Sequence, residues 1–164
     1  MFRLNKLTDY ALVVMQHVAS HPADTLHTAR GLAAATELPV PTVVKILKEL
    51  LDHDLLVSHR GVKGGYSPAR RPSEISVAEI VEAFEGSIGF TECATQPGRC
   101  DLEGKCKAQN NSVVIGQALQ RALGNIKLSD MTAGLTAGRY GNARHDLVTT
   151  ISSKAPMSRA KGLQ

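Results

Sequence analysis

Apolar residues recur with a helical period through the first half of the chain and again after residue 107, with a short strand-like stretch between. Leu7, Ala11, Val14 and Val18 fall at i, i+4, i+7 and i+11, so one stripe of a helix from about Lys6 to Ser20 faces a core. Thr8 is its candidate N-cap, and Asp9 in the first turn suits the positive end of the helix dipole. His17 and His21 close this helix, where imidazole dresses the negative end; a ligand role is the lesser alternative for either. Thr28 caps a second short helix, Ala29 to Thr36, and Pro41 fits the first position of a third that runs to Asp52. Val40, Val43, Val44, Leu47, Leu50 and Leu51 are the expected core face of that third helix. Thr42, Lys45, Lys48 and Glu49 lie elsewhere on it.

Two short helices joined by a tight turn, the second opening with small and basic residues, match a helix-turn-helix. A strand, Leu55 to His59, follows; then a glycine-rich turn, Arg60 to Gly65, and a returning strand at Tyr66-Ser67. A hairpin tipped with Arg60 and Lys63 directly after a helix-turn-helix makes a winged helix, whose wing lies along phosphates or enters a minor groove. The glycines could instead cradle a nucleotide phosphate, but no helix N-terminus follows them and G-x-x-G-G fits no nucleotide fingerprint. After Pro72, Ser76 and Glu79 have capping-box spacing. They open a fourth helix with Val77, Ile80, Val81 and Phe84 on one stripe and Gly86 at its end. A longer amphipathic helix from about Lys107 to Leu128 has Ile115, Leu119, Ala122 (or Leu123) and Ile126 on one face. Such a face needs a partner, and its counterpart in a second subunit is the expected one.

The fold class expected is mainly α: a winged helix-turn-helix DNA-binding domain with a small β-hairpin wing, plus a long dimerisation helix. The expected division is 1–70 for the DNA-binding domain, 71–130 for a cysteine-bearing loop and the dimerisation helices, and 131–164 for a flexible basic tail.

Composition sharpens this picture in three places. Three Phe, three Tyr and no Trp among 164 residues make aliphatic helices the core material. No apolar run approaches the roughly eighteen residues of a membrane span, and no cleavage pattern follows the N-terminal apolar stretch. A cytoplasmic protein with no membrane partner is therefore expected. The net charge of +4 is unevenly spread. Residues 55–73 hold Arg60, Lys63, Arg70 and Arg71 with no acid, which suggests contact with a polyanion. Residues 74–92 hold Glu74, Glu79, Glu82, Glu85 and Glu92 with no base, which reads as a solvated face. No nucleophile–base constellation stands out, so an enzyme is not expected.

All three cysteines lie within fourteen residues, Cys93, Cys100 and Cys106, at C-x6-C-x5-C spacing. The stretch between them carries Pro97, Gly98 and Gly104 and almost nothing apolar, so it cannot build a core of its own. Three thiolates on so pliant a backbone can converge on one soft metal centre. The alternatives are a disulfide with one thiol left over, which a reducing cytoplasm disfavours, or three loop cysteines with no common role.

The order of these features resembles the iron–sulfur cluster regulators that include IscR and NsrR, a family of winged-helix bacterial repressors. The resemblance covers about residues 1–130. It rests on Leu4-Asn5-Lys6-Leu7-Thr8-Asp9-Tyr10-Ala11, on the wing Arg60-Gly61-x-x-Gly64-Gly65-Tyr66, on the helix from Ile75 to Gly86, and on the three-cysteine loop. Within the family, the opening and the loop look most like the regulators attached to the SUF iron–sulfur assembly system.

The resemblance implies a homodimer on a pseudo-palindromic operator in double-stranded DNA. It also implies one 2Fe–2S or 4Fe–4S cluster per subunit, bound through Cys93, Cys100 and Cys106. Thr42 and Lys45 match recognition-helix positions that face the major groove, and Arg60 matches a wing arginine that enters the minor groove. Lys48, Lys63 and Tyr66 complete the expected DNA-binding set. The chain departs from the pattern in two respects: Pro39 and Pro41 stand where relatives often carry hydroxyl residues that contact DNA, and Gln109 stands where IscR-like members carry a histidine ligand. The NsrR resemblance instead places Asp9 at the cluster, donated from the other subunit. The function so implied is a cluster-sensing repressor of iron–sulfur assembly genes. One alternative is a nitric-oxide sensor of the NsrR kind. Another, from a different class, is a small electron carrier or cluster-transfer protein, which would leave the helix-turn-helix and the basic wing without a purpose.

Overall fold

The computed structural model describes residues 4–89, 91, 105–106 and 109–135; Cys93 and Cys100 lie outside the described residues. The chain divides into two units, Met1–Gly134 and Leu135–Gln164, and the architecture below is that of the first.

Helix α1 (Lys6–Ala19) is the centre of the core, with Ala11, Val14, Met15 and Val18 buried along it. Its N-cap is Asn5, not Thr8: the Asn5 side chain accepts hydrogen bonds from the backbone N–H groups of Leu7 and Thr8 at 2.8 and 3.0 Å. A capping oxygen must stand in front of the first turn, and Thr8 is already inside that turn. Its side chain is fully buried instead, donating its hydroxyl to Glu85 Oε1 at 2.5 Å.

Helix α2 (Ala29–Thr36) is capped by Thr28, whose hydroxyl accepts from Gly31 N–H at 3.0 Å. Helix α3 (Val40–Asp52) follows a turn through Glu37, which has φ +57°. The inward stripe of α3 is Val43, Ile46, Leu47 and Leu50; Val40 and Val44 are 42% and 51% exposed. The expected face is thus rotated: Ile46 belongs to it and the two valines do not. Periodicity alone leaves the apolar arc of so hydrophobic a helix wider than the part its neighbours cover.

Strands β1 (Leu56–His59) and β2 (Gly65–Pro68) pair antiparallel, Leu56 opposite Pro68 and His59 opposite Gly65. The hairpin is anchored by His27, whose N–H donates to Tyr66 O at 2.9 Å while Tyr66 N–H donates to His27 O at 2.8 Å. Helix α4 (Val77–Glu85) opens with the full capping box: Ser76 Oγ accepts from Glu79 N–H, and Glu79 Oε2 accepts from Ser76 N–H at 2.8 Å.

The long helix expected to reach Leu128 is two helices, α5 (Gln109–Asn125) and α6 (Leu128–Ala133). The chain breaks at Ile126-Lys127 to pair with the segment before α4. Val77 N–H donates to Ile126 O, and Leu128 N–H donates to Ile75 O, both at 2.9 Å. Leu128 is thereby driven fully into the core beside Ile75, Ile80, Val14 and Leu50. Burying a leucine stabilises by roughly 1.5–3 kcal/mol, enough to outweigh continuing one helix by a turn. The protein is mainly α with a single two-stranded wing among the described residues, a winged helix-turn-helix. No helix among the described residues is long and apolar enough to cross a membrane.

Candidate nucleic-acid interface and ligand-binding residues

Helix α3 turns its buried stripe to the core and so leaves Lys45 and Lys48 exposed and Thr42 half-buried on the remaining surface. The exposed Val40 and Val44 lie among them. At the wing tip Arg60, Val62 and Lys63 are exposed, Val62 completely. The tip is shaped by glycine. Gly61 has φ +117°, and a Cβ at Gly64 would stand 2.2 Å from the carbonyl oxygen of His59. Gly64 N–H closes the turn onto Gly61 O at 2.9 Å. Tyr66 is half-buried against the core, its backbone held by His27. A hollow of about 410 Å³ runs between Thr28, Arg60 and Tyr66, next to the tip.

Lys45, Lys48, Arg60 and Lys63 make no ion pair among the described residues. Arg70 and Arg71 differ. Arg70 pairs with Glu79 at 2.6 Å and Arg71 with Glu74 at 2.7 Å. The basic and acidic blocks, read from sequence as a polyanion contact and a solvated face, thus partly neutralise each other where they meet. Glu74 is held below the usual carboxylate range by its hydrogen bond from Arg71. For Glu79, burial works against the charge, yet the Ser76 N–H and Arg70 donors still bring its pKa below the ordinary value.

On the ligand side, Cys106 is a free, half-buried thiol. Asp9 is exposed on the first turn of α1, and its carboxylate has no hydrogen-bond or ion-pair partner among the described residues. It lines a cavity of about 740 Å³ together with Leu4, Asn5, Lys6 and Glu85. Because Asn5 supplies the cap, Asp9 is left available for other chemistry. Glu85 faces the same cavity with its carboxylate engaged. Burial pushes its pKa up, but the donated bonds from Thr8 and Asn5 prevail and hold it low. Cys106, with two more thiols in the neighbouring sequence, supplies the soft donors that an iron–sulfur cluster takes, and Asp9 is an accessible carboxylate on a separate element.

One constellation escaped the sequence reading. His17, His21 and His27 bring one ring nitrogen each to within 4.8 Å of the others, with ring centroids 4.6, 5.0 and 5.6 Å apart. His27 is 9% exposed, and its Nε2 is buried with no hydrogen-bond partner among the described residues. Burial first, and the neighbouring histidines second, lower the pKa of His17 and His27.

Comparison with known proteins gives these features a lineage. A Mycobacterium tuberculosis protein is 35% identical over 86 residues, 52% of this chain and 53% of that protein. The chain thus spans about half the length of that curated relative. The transcriptional regulator NsrR of Halalkalibacterium halodurans is 26% identical over 133 residues, 79% of this chain and 89% of the relative. Among solved structures, CymR of B. subtilis, titled the global cysteine regulator, superposes with a TM-score of 0.66 at 19% identity over 83% of this chain and 100% of that one. IscR of T. potens superposes with a TM-score of 0.61 at 20% identity, covering 96% and 94%. These structures share the fold. Residues 4–134 match the Rrf2 family, described as iron-dependent transcriptional regulators, and the chain is a member of that family.

Proposed function

We propose that this chain is a transcription regulator that binds a pseudo-palindromic site in double-stranded DNA as a homodimer. The observation that carries the reading is a set of exposed cations, Lys45 and Lys48 on α3 and Arg60 and Lys63 at the wing tip, that make no ion pair among the described residues of a winged helix-turn-helix. Thr42 and Lys45 face the major groove in this reading, Arg60 enters the minor groove, and Lys63 contacts phosphate. The half-exposed apolar side of α5, with Ile115 42% and Val114 53% exposed in the single chain, is the surface for dimerisation. Function then divides as 1–70 for reading DNA, 71–130 for ligand binding and dimerisation, and 131–164 for a basic tail.

An iron–sulfur cluster, one per subunit, is held by Cys93, Cys100 and Cys106, with Asp9 contributed across the dimer. When bound, the cluster supplies a link sensitive to oxidants and to iron supply. Asp9 is well placed to use it. It rides on α1, whose buried stripe sits in the core of the DNA-reading domain, and Asn5 and Thr8 beside it both bond to Glu85 at the end of α4. A ligand bond at Asp9 would bias the position of α1 and hence of α3, a two-state element under ligand control. The target genes proposed are those of iron–sulfur cluster assembly of the SUF type. A nitric-oxide-sensing role of the NsrR kind is the second reading, favoured by Gln109 in place of histidine and by the extent of the NsrR match.

The test is anaerobic isolation with iron, sulfide and visible-spectrum assays, followed by footprinting with and without the cluster. Brown protein with acid-labile sulfide and a protected two-half-site operator are expected. Colourless protein with stoichiometric zinc after reconstitution, or equal affinity for random and operator DNA, would reject the respective half of the proposal. Asp9→Ala is expected to give a more labile cluster and DNA affinity less responsive to cluster loss.

A further inference from the structure

We propose that His17, His21 and His27 form a second metal site, separate from the cysteine loop, that binds a divalent transition cation of the zinc class and clamps the end of α1 to the wing. The three rings come from different parts of the chain. His17 lies in the last turn of α1, His21 just beyond its C-cap, and His27 in the segment that pairs with Tyr66 of β2. Imidazole nitrogen is the preferred protein donor for zinc, cobalt, nickel and copper.

Two details go beyond proximity. The Nε2 of His27 is buried without a hydrogen-bond partner among the described residues, and a buried polar atom left so is costly unless something binds it. The Nδ1 of His21 lies 2.9 Å from the backbone carbonyl of His17. Read as a donated N–H, this bond fixes the tautomer and leaves Nε2 of His21 as the lone-pair atom. Metal-binding histidines are commonly oriented by just such a second contact to a carbonyl.

The geometry needs little adjustment. Bonds of about 2.0–2.1 Å to a tetrahedral ion set ligand nitrogens roughly 3.4 Å apart. The present spacings, all within 4.8 Å, require the rings to move together by about an ångström or less each. His21 is exposed and His27 is fixed by its backbone pairing, so the adjustment falls mainly on the exposed ring. Three protein ligands leave a fourth position for water. Because His27 N–H and C=O both pair with Tyr66, a bound cation would tie the wing hairpin to α1 through one residue.

The test uses untagged full-length protein, reduced and anaerobic, titrated with cobalt(II). Cobalt bound by the cysteines gives thiolate-to-metal charge-transfer absorption, and cobalt bound by three imidazoles gives only the weaker visible bands. A second equivalent per chain of the imidazole type is expected. His21→Ala, an exposed change that leaves the core intact, should weaken that equivalent at least tenfold while the thiolate equivalent stays. Zinc should raise the thermal midpoint of the Cys93→Ser variant and not that of the Cys93→Ser, His21→Ala pair. If His21→Ala and His17→Gln both leave cobalt stoichiometry and spectrum unchanged, or if no imidazole-type equivalent binds in the parent, the site does not exist. The site is separable from DNA reading, since Arg60→Ala should weaken operator binding and leave the imidazole-type cobalt equivalent unchanged.

Discussion

Arg60 at the tip of the hairpin and Arg70 just beyond its second strand belong to the same acid-free stretch of sequence, yet they end in opposite situations. Arg60 stands on a turn that projects from the core and meets no acid among the described residues. Arg70 lies where β2 runs back to the body, and there it meets Glu79, itself fixed by the capping box of α4. One cation is left for an external anion and the other is satisfied internally. Charge density along a sequence therefore overstates a binding surface wherever the fold returns the charges to complementary neighbours.

This contrast can be broken most forcefully at its support. Gly64→Ala forces a Cβ to within 2.2 Å of His59 O, a backbone atom that cannot move aside cheaply. A stability loss of about 3 kcal/mol in urea unfolding is expected, the upper end for overfilled space, with loss of DNA affinity because the tip is reshaped. Unchanged stability would mean that the tip is far more pliant than described. Arg60→Ala should next lower operator affinity by on the order of 1–3 kcal/mol in fluorescence anisotropy at fixed salt, while Arg70→Ala leaves it within error. Equal losses for the two would erase the distinction. Lys63→Ala should reduce the salt slope by about one unit, with little change in sequence preference.

On the internally satisfied side, Ser76→Ala removes a cap and should cost about 1 kcal/mol of stability without altering the salt dependence of DNA binding. Arg70→Ala should cost less than about 1 kcal/mol, since both partners are a third or more exposed and solvent screens the pair.

The smallest effect is in pH. Glu79 has a lowered pKa in the folded protein against an ordinary value of 4.5, so its contribution is complete well above pH 4.5 and is lost as pH falls through the lowered value. Thermal midpoints of the parent and Glu79→Gln should accordingly differ at pH 7 and converge as pH drops below about 4.5. A gap that persists at the lowest pH would assign the contribution to packing rather than charge.

Much of the architecture was legible in the sequence because it is decided locally. Thr28 capping α2, the Ser76–Glu79 box and the Arg60–Gly65 turn each depend on groups within five residues of one another, so spacing and residue type suffice. The candidacy of the three cysteines as a common donor set rests on spacing alone, since they stand within fourteen residues of one another and Cys93 and Cys100 lie outside the described residues. What needed the tertiary structure were choices between local solutions that only a distant segment can settle. Asn5 and Thr8 could each cap α1, and Glu85, 77 residues from Thr8, took the threonine hydroxyl. The helix through Leu128 could have continued, but pairing with residues 75–77 ended it. The arc of α3 facing inward was fixed by α1 and α2, which left Val40 and Val44 outside. His17 and His21 have the H-x3-H spacing that one helix turn can bring to a metal, but the sequence does not show that His27, beyond five intervening residues in a loop, joins them. Only the pairing of His27 with Tyr66 brings the third ring to the other two, because the position of a loop residue is set by what its backbone hydrogen-bonds and not by its own side chain.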